Sequence, residues 1–209
     1  MKRSRATSPP RSSRSEICAV SAVSDINPIN AETSTREAGR VNLFSVRDIL
    51  AILQEKGWLS GGPDEKQVAW CSRAAAFLGP QVAGLNALES LLTLVFCYDA
   101  STILQTTDAH VVMSRYAARD VLRQLALLLL AGTELTTDRF SEIIATLKQD
   151  LDLRGRELFH PLRLALAGRC GGGELDRIIL LLDEAASAGF PAQVKTARER
   201  ILEFCAAFE

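Results

Sequence analysis

The chain has few aromatic residues, few histidines and no long apolar run. Aromatic residues make up 6 % of the 209 positions, and His110 and His160 are the two histidines. A histidine-based metal site or catalytic triad would therefore be poorly supplied. The most apolar stretch, residues 125–131, falls far short of the roughly 18 apolar residues that cross a bilayer. These shortages argue against a metalloenzyme, a histidine-dependent hydrolase and a membrane protein.

The cysteines show no arrangement that is typical of disulfides or of a metal site. The five cysteines are an odd number and contain no Cys-x-x-Cys pair. An odd number of cysteines argues against a disulfide framework and the missing pair argues against a zinc site, so we predict small core residues of a reduced, cytoplasmic protein. They are Cys18, Cys71, Cys97, Cys170 and Cys205.

Signatures of catalysis and cofactor binding are missing as well. The glycine run 171–173 leads into Glu174 and Leu175, not into the Lys-Ser/Thr of a phosphate-binding loop. Acidic residues are plentiful but scattered. We therefore expect no catalytic residue, no cofactor and no metal.

What is present is a basic, acid-poor beginning followed by a helical pattern. Residues 1–15 hold five basic and no acidic residues, whereas the whole chain has a net charge of −1. Residues 1–41 are rich in Ser, Arg and Pro without apolar periodicity, so we predict a disordered tail. A transit peptide, a flexible arm or a misassigned start would also fit this composition.

From residue 42 onward, apolar residues recur at three- and four-residue spacing, with no alternating strand segments. The pattern predicts an all-α fold of two small helical subdomains, residues 42–132 and 133–209. Ser45 is expected to cap the first helix, a helix is expected over residues 85–97, and Asp108 is expected to cap a long helix that reaches Leu130. The next helix is expected to begin at Thr136 or Thr137.

Residues 158–169, LFHPLRLALAGR, form the most informative segment. Pro161 is expected to open a helix that Gly168 ends in the left-handed conformation. Free N–H groups at that helix start would then lie near Arg163, which would favour an anion.

Basic residues surround this segment. Four arginines and one acid, Glu157, lie within residues 154–169, so the segment suits phosphate or base contacts. The alternative is a solvated basic face, with His160 packed for structural reasons. Arg115, Arg119 and Arg123 lie four residues apart and would form a second basic stripe on the long helix, either a solvent face or a further contact with an RNA backbone. The four arginines are Arg154, Arg156, Arg163 and Arg169.

The segment resembles the Pro-Leu-Arg-x-Ala-Leu-Thr-Gly motif in the C-terminal anticodon-binding domain of bacterial glutamyl-tRNA synthetases, which are class I enzymes. Residues 152–159, DLRGRELF, are similar to the family's lead-in, and residues 135–147 and 174–182 resemble the helices on either side. Residues 76–98 resemble the preceding subdomain more loosely.

The resemblance implies an anticodon-binding helical bundle that binds tRNA, of the glutamate or glutamine type, and not DNA. On this basis the RNA-binding candidates are Arg163, Arg154, Arg156, Arg169, His160 and Gln81. The family's His-x-Gly-His and Lys-Met-Ser-Lys motifs of the catalytic half do not occur in the sequence. Glutamate activation is therefore not implied, although the chain could assist a separate synthetase catalytic chain.

Two positions depart from the family pattern. Ala167 replaces a threonine, and Gln81, within Gly79–Leu85, aligns with an arginine that discriminates between anticodons. Glutamine can bond several base edges but carries no charge, so the departure predicts relaxed discrimination at one anticodon position. Two other hypotheses stay open: a helical protein-interaction module that has lost RNA binding, and the tRNA-binding subunit of a split glutamate-tRNA ligase.

Overall fold

The computed structural model describes residues 44–132 and 134–208, and the predicted tail, residues 1–41, lies outside them. The described part is built from α-helices and contains no β-strand, which confirms the all-α prediction. A short 3₁₀ turn, Gly79–Gln81, follows the second helix. The helices are α1 (Val46–Glu55), α2 (Glu65–Leu78), α3 (Leu85–Phe96), α4 (Ala100–Leu104), α5 (Thr107–Met113), α6 (Ala118–Ala131), α7 (Thr137–Leu151), α8 (Arg156–Ala167), α9 (Glu174–Ile179), α10 (Leu182–Ser187) and α11 (Ala197–Phe208).

Several helix ends follow from their capping residues as predicted. Ser45 is the N-cap of α1, and its amide donates to the Asp48 carboxylate at 2.7 Å. The Thr136 hydroxyl accepts from the amide of Arg139 at the start of α7. Gly168 ends α8 with φ +80°, and a Cβ there would lie 3.1 Å from Cδ1 of Ile103. Glycine therefore suits this position in both conformation and space.

The prediction of one long helix between Asp108 and Leu130 is wrong. Residues 114–117 separate two helices there, α5 and α6. The cap of α5 is Thr106, whose hydroxyl accepts from the amide of Ala109 at 3.2 Å. Threonine and aspartate are both common helix caps, so two candidates this close together leave the boundary open in the sequence. Because Arg115 lies before α6, it does not share a helix with Arg119 and Arg123.

The predicted start of the motif helix at Pro161 is also wrong. Helix α8 begins at Arg156, and Pro161 lies inside it. Proline lacks the N–H that an interior position normally donates, so it is more common in the first turn. The free amides at the start of α8 and the side chain of Arg163 are consequently about two turns apart, since each residue adds ~1.5 Å of rise.

One apolar core contains helices from both predicted subdomains. Phe96 stacks on Trp58 with ring centroids 4.7 Å apart and meets Trp70 and Phe190 edge to face. The Trp70 indole N–H donates to the carbonyl of Leu181 at 3.0 Å. The described helices therefore pack together across residue 132, and the division into two subdomains there stays a prediction.

A buried arginine links three of these helices. Arg200 of α11 is fully buried, and its guanidinium donates to four backbone carbonyls. It also lies over the ring of Tyr98, 4.5 Å from the centroid. The carbonyls belong to Leu94 and Val95 near the end of α3, Leu166 near the end of α8, and Lys195. Arg200 thus satisfies carbonyls that the ends of α3 and α8 leave without a helical partner.

Candidate nucleic-acid interface

The motif arginine, Arg163, is held in a bidentate ion pair. Its Nε and Nη2 donate to the two carboxylate oxygens of Asp176 in α9, each at 2.7 Å, and its Nη1 donates to the carbonyl of Gly171 at 2.6 Å. We call this arrangement the Arg163–Asp176 clamp. The side chain of Arg163 is 12 % exposed. Since a guanidinium has five N–H groups, at most two remain for another partner.

The clamp determines the path of the loop after α8. Gly171 lies between Gly168, which ends α8, and α9, which carries Asp176, so the arginine fixes both the loop and the following helix. The sequence pattern does not indicate this pairing, because an acid thirteen residues away can point in any direction.

An aromatic ring connects the clamp to a lysine of α7. The guanidinium of Arg163 lies 4.8 Å from the centroid of Phe159, and Nζ of Lys148 lies 5.6 Å from the same centroid. Cations over an aromatic face are attracted by its quadrupole. Lys148 therefore adds an exposed cation beside the motif that the sequence pattern did not single out.

A second basic group lies at the start of α8. Nη1 of Arg115 donates to the carbonyl of Arg156 at 3.4 Å and lies 3.4 Å from Nδ1 of His160. We call Arg115, Arg156 and His160 the Arg115 cluster. The residues between α5 and α6 are thereby held against α8, and the cluster brings together two predicted site residues and one arginine of the predicted stripe.

The pKa of His160 is lowered by partial burial of the imidazole and further by the positive charges of Arg115, Arg156 and Arg163, with Asp108 opposing the shift. A histidine of lowered pKa binds its proton more weakly in the folded than in the unfolded chain. Folding therefore loses free energy as the pH falls below the unfolded value of about 6.5, until the folded imidazole is also protonated.

We expect the free energy of unfolding to decline more in the wild type than in His160→Gln between pH 7.5 and 5.5. The difference is expected to be small, because solvent screens a half-exposed group. Urea titrations followed by tryptophan fluorescence at each pH measure it, with His110→Gln as the control for loss of an imidazole. Parallel pH profiles for the wild type and His160→Gln would contradict the expectation.

The other predicted site residues lie apart from these two groups. Arg154 is exposed in the segment before α8, and Arg169 is exposed in the loop after it. Gln81 is half-buried in the 3₁₀ turn that follows α2. The end of α2 lies near α9, where the guanidinium of Arg177 is 5.7 Å from the ring centroid of Phe77. Gln81 belongs to the 3₁₀ turn, whereas Arg163 belongs to α8.

Cys170, next to the motif, has a thiol of low reactivity. Burial raises the pKa of Cys170 to about 11 and that of Cys71 to about 12. Both thiols are therefore protonated at neutral pH, which suits the predicted role of cysteines as packing residues.

Among residues 44–132 and 134–208, no group of three or more His, Cys, Asp or Glu side chains is arranged to hold a metal ion. No helix of that same part is long and apolar enough to cross a membrane.

A family model described as the anticodon binding domain matches residues 46–188, more than half of the chain. The chain belongs to the anticodon-binding domain family. The match confirms the resemblance given by the motif and its flanks, and it includes both the Arg163–Asp176 clamp and the Arg115 cluster.

Two relatives are glutamate-tRNA ligases. The chain is 29 % identical over 118 residues to glutamate--tRNA ligase 2 of Syntrophus aciditrophicus, covering 56 % of this chain and 24 % of that protein. It is 27 % identical over 139 residues to a glutamate--tRNA ligase of Exiguobacterium sibiricum, covering 64 % of this chain and 27 % of that protein. The chain thus spans about a quarter of the length of these relatives. No solved structure matches it.

Proposed function

We propose that this anticodon-binding domain binds tRNA, of the glutamate or glutamine type, in the cytoplasm and without catalysis of its own. Its membership of the family, with glutamate-tRNA ligases as relatives, carries the proposal. A synthetase catalytic chain is proposed as a further partner, because the relatives are glutamate-tRNA ligases.

We infer a binding surface that combines the Arg115 cluster with the exposed Arg154 and Arg169. Their guanidinium groups supply the positive charge that phosphates require, although the chain as a whole is slightly acidic. We propose that His160 donates to or stacks on the RNA within that cluster, and that Gln81, on a separate element, contacts a base edge without adding charge. Arg163 contributes to binding by shaping the loop that carries Arg169. Its two N–H groups that have no partner within the protein are the ones that a direct contact with RNA would use.

Removal of the exposed arginines should weaken tRNA binding without unfolding the protein. We expect Arg154→Ala and Arg156→Ala each to lower the affinity for total tRNA about three- to tenfold. Each should also make the slope of log affinity against log salt shallower by about one, because one fewer phosphate is neutralised by the protein. Filter binding across a salt series measures both quantities.

The matched control is Arg47→Ala, which removes an exposed arginine of α1, a helix that packs on α2. It should leave the affinity and the salt slope unchanged. Absence of tRNA binding by the wild type at low salt would rule out the proposed function, and an equal effect of all three variants would rule out the proposed surface. Sequencing the RNA that copurifies identifies the tRNA.

The hypothesis of a protein-interaction module that has lost RNA binding predicts a different result. The acidic balance outside the first fifteen residues and the uncharged Gln81 favour it. Recovery of a protein partner with no RNA in a pulldown would support this second function over the first.

A further inference from the structure

One tyrosine lies almost entirely outside the core. Tyr116 is 97 % exposed, whereas the next most exposed large apolar side chain in the described part, Leu127, is 58 % exposed. Aromatic side chains offer large apolar area, and exposing nearly all of it forgoes the stabilisation of burial. A fully exposed tyrosine is therefore a candidate for contact with another molecule.

The backbone beneath Tyr116 is nevertheless ordered by hydrogen bonds. The amide of Arg115 donates to the carbonyl of Val112 at 3.1 Å, and the amide of Ala118 donates to the carbonyl of Arg115 at 3.2 Å. The Ser114 hydroxyl donates to the carbonyl of Val111 at 2.9 Å. Tyr116 thus extends from a fixed connection between α5 and α6, so little backbone freedom would be lost when the ring binds a partner.

Arginines precede and follow Tyr116 in the chain. Arg115, the preceding residue, belongs to the Arg115 cluster and anchors this connection to α8. Arg119 follows three residues later and lies 5.0 Å from the ring centroid of Phe208, and Arg123 is exposed one turn further along α6. Residues 106–125 hold three arginines, Arg115, Arg119 and Arg123, and two acids, Asp108 and Asp120.

We propose that Tyr116 is a stacking platform for an unpaired RNA base, with Arg115 and Arg119 bonding the adjacent phosphates. The inference rests on the proposed function and extends it from charge to base contact. Every nucleobase has a face that stacks on an aromatic ring, and RNA-binding proteins select unpaired loops because only those bases can be splayed out to stack. Tyr116 offers an exposed ring on an ordered connection, and Arg115 and Arg119 lie one residue before it and three residues after it in the chain.

Removal of the ring should affect loop RNA and spare duplex RNA. With a glutamate-type anticodon stem-loop as the probe, we expect Tyr116→Ala to weaken binding roughly tenfold to a hundredfold and Tyr116→Phe to retain most of the affinity, since stacking needs the ring and not the hydroxyl. A blunt duplex of the stem sequence, bound through phosphates alone, should show the same affinity for all variants. Leu127→Ala, which truncates an exposed apolar side chain in α6, should bind both RNAs as the wild type does.

Tryptophan at this position gives a direct signature. The chain has two tryptophans, Trp58 and Trp70, which are 5 % and 0 % exposed. Tyr116→Trp therefore adds a tryptophan on the surface, where the other two are buried. We expect its red-shifted emission to be quenched by the stem-loop but not by the duplex, while the buried pair in the wild type responds to neither.

The outcomes separate the two proposals. If the wild type binds the stem-loop but Tyr116→Ala binds equally well and Tyr116→Trp shows no quenching, base stacking is wrong and the proposed function stands. An equal loss of stem-loop and duplex binding in Tyr116→Ala would also overturn stacking, because it would assign the ring to the phosphate surface. If the wild type binds neither RNA, the proposed function itself fails and the stacking proposal fails with it.

Discussion

Arg200→Ala is expected to lower the free energy of unfolding by about 3–5 kcal/mol, because three buried carbonyls lose their donor at roughly 1–3 kcal/mol each and the cost of burying the charge, which the substitution removes, offsets part of that loss. Four carbonyls lose their donor, and those of Leu94, Val95 and Leu166 stay enclosed at the ends of α3 and α8. A buried acceptor without a donor costs its full desolvation penalty. The expected decrease is a large fraction of the roughly 5–15 kcal/mol typical of a domain.

The charge on Arg200 is retained at neutral pH. Burial lowers the pKa of its guanidinium to about 10, which still leaves the group protonated near pH 7. The carbonyl dipoles of two helix ends surround it, and helix ends favour a cation at their C-terminus. Lysine offers one ammonium in place of a planar fork and cannot reach carbonyls on three segments at once. Arg200→Lys should therefore also destabilise, though less than Arg200→Ala.

Urea unfolding followed by the fluorescence of Trp58 and Trp70 measures these differences. Arg198→Ala, two residues earlier in α11, is the matched control, because Arg198 is exposed and donates to the carbonyl of Leu130 at the surface. It should cost less than about 1 kcal/mol. If Arg200→Ala proves too unstable to purify, Arg200→Lys supplies the measurement. Equal costs at positions 198 and 200 would show that the buried arginine does not hold the helix ends together.

Arg163→Ala is expected to cost about 1.5–3 kcal/mol of stability, because it removes three charge-assisted hydrogen bonds and leaves Asp176 without its partner. Solvent reaches part of the clamp, so the cost should be lower than that at Arg200. In a double-mutant cycle with Asp176→Ala, the two substitutions should be coupled by about 0.5–3 kcal/mol. Additive costs would contradict the clamp.

The same variants separate two roles of Arg163 in RNA binding. If it acts by shaping the loop, Arg163→Ala and Asp176→Ala should both lower the affinity for tRNA, because each breaks the ion pair that joins α8 to α9. We expect this result, given that three of its five N–H groups are engaged within the protein. A decrease confined to Arg163→Ala would instead identify a direct contact with RNA. Binding is measured in conditions where circular dichroism shows each variant to be folded.

The motif and its flanks were sufficient to identify the family from sequence. Apolar spacing indicated the helical class, capping residues such as Ser45 and Thr136 indicated helix starts, and Gly168 indicated a helix end. These features are local: each depends on residues within one or two turns, so the sequence around them contains the needed information. The same local reasoning misplaced the start of α8, because proline is common in the first turn of helices and only the tertiary structure shows that Pro161 lies inside one.

The candidate site depended on contacts between distant segments. Arg163 and Arg115 could both be picked out as basic residues, but their partners lie on other elements: Asp176 on α9 and His160 on α8. Whether an arginine is engaged or available depends on which carboxylates and carbonyls the fold brings within about 3 Å, and spacing along the chain does not give that distance. The exposure of Tyr116 is likewise a property of the break between α5 and α6, which periodicity did not reveal.

Sequence alone therefore determined that the chain is helical and carries a basic motif, since these follow from local chemistry and residue order, and its resemblance to anticodon-binding domains indicated the family. The tertiary structure decided which charges are used inside the protein, as at Arg200 and Arg163, and which face solvent, as at Arg154 and Arg156. The physical reason is that burial and pairing are set by long-range packing. The energy of a charged side chain depends far more on those surroundings than on its neighbours in the chain.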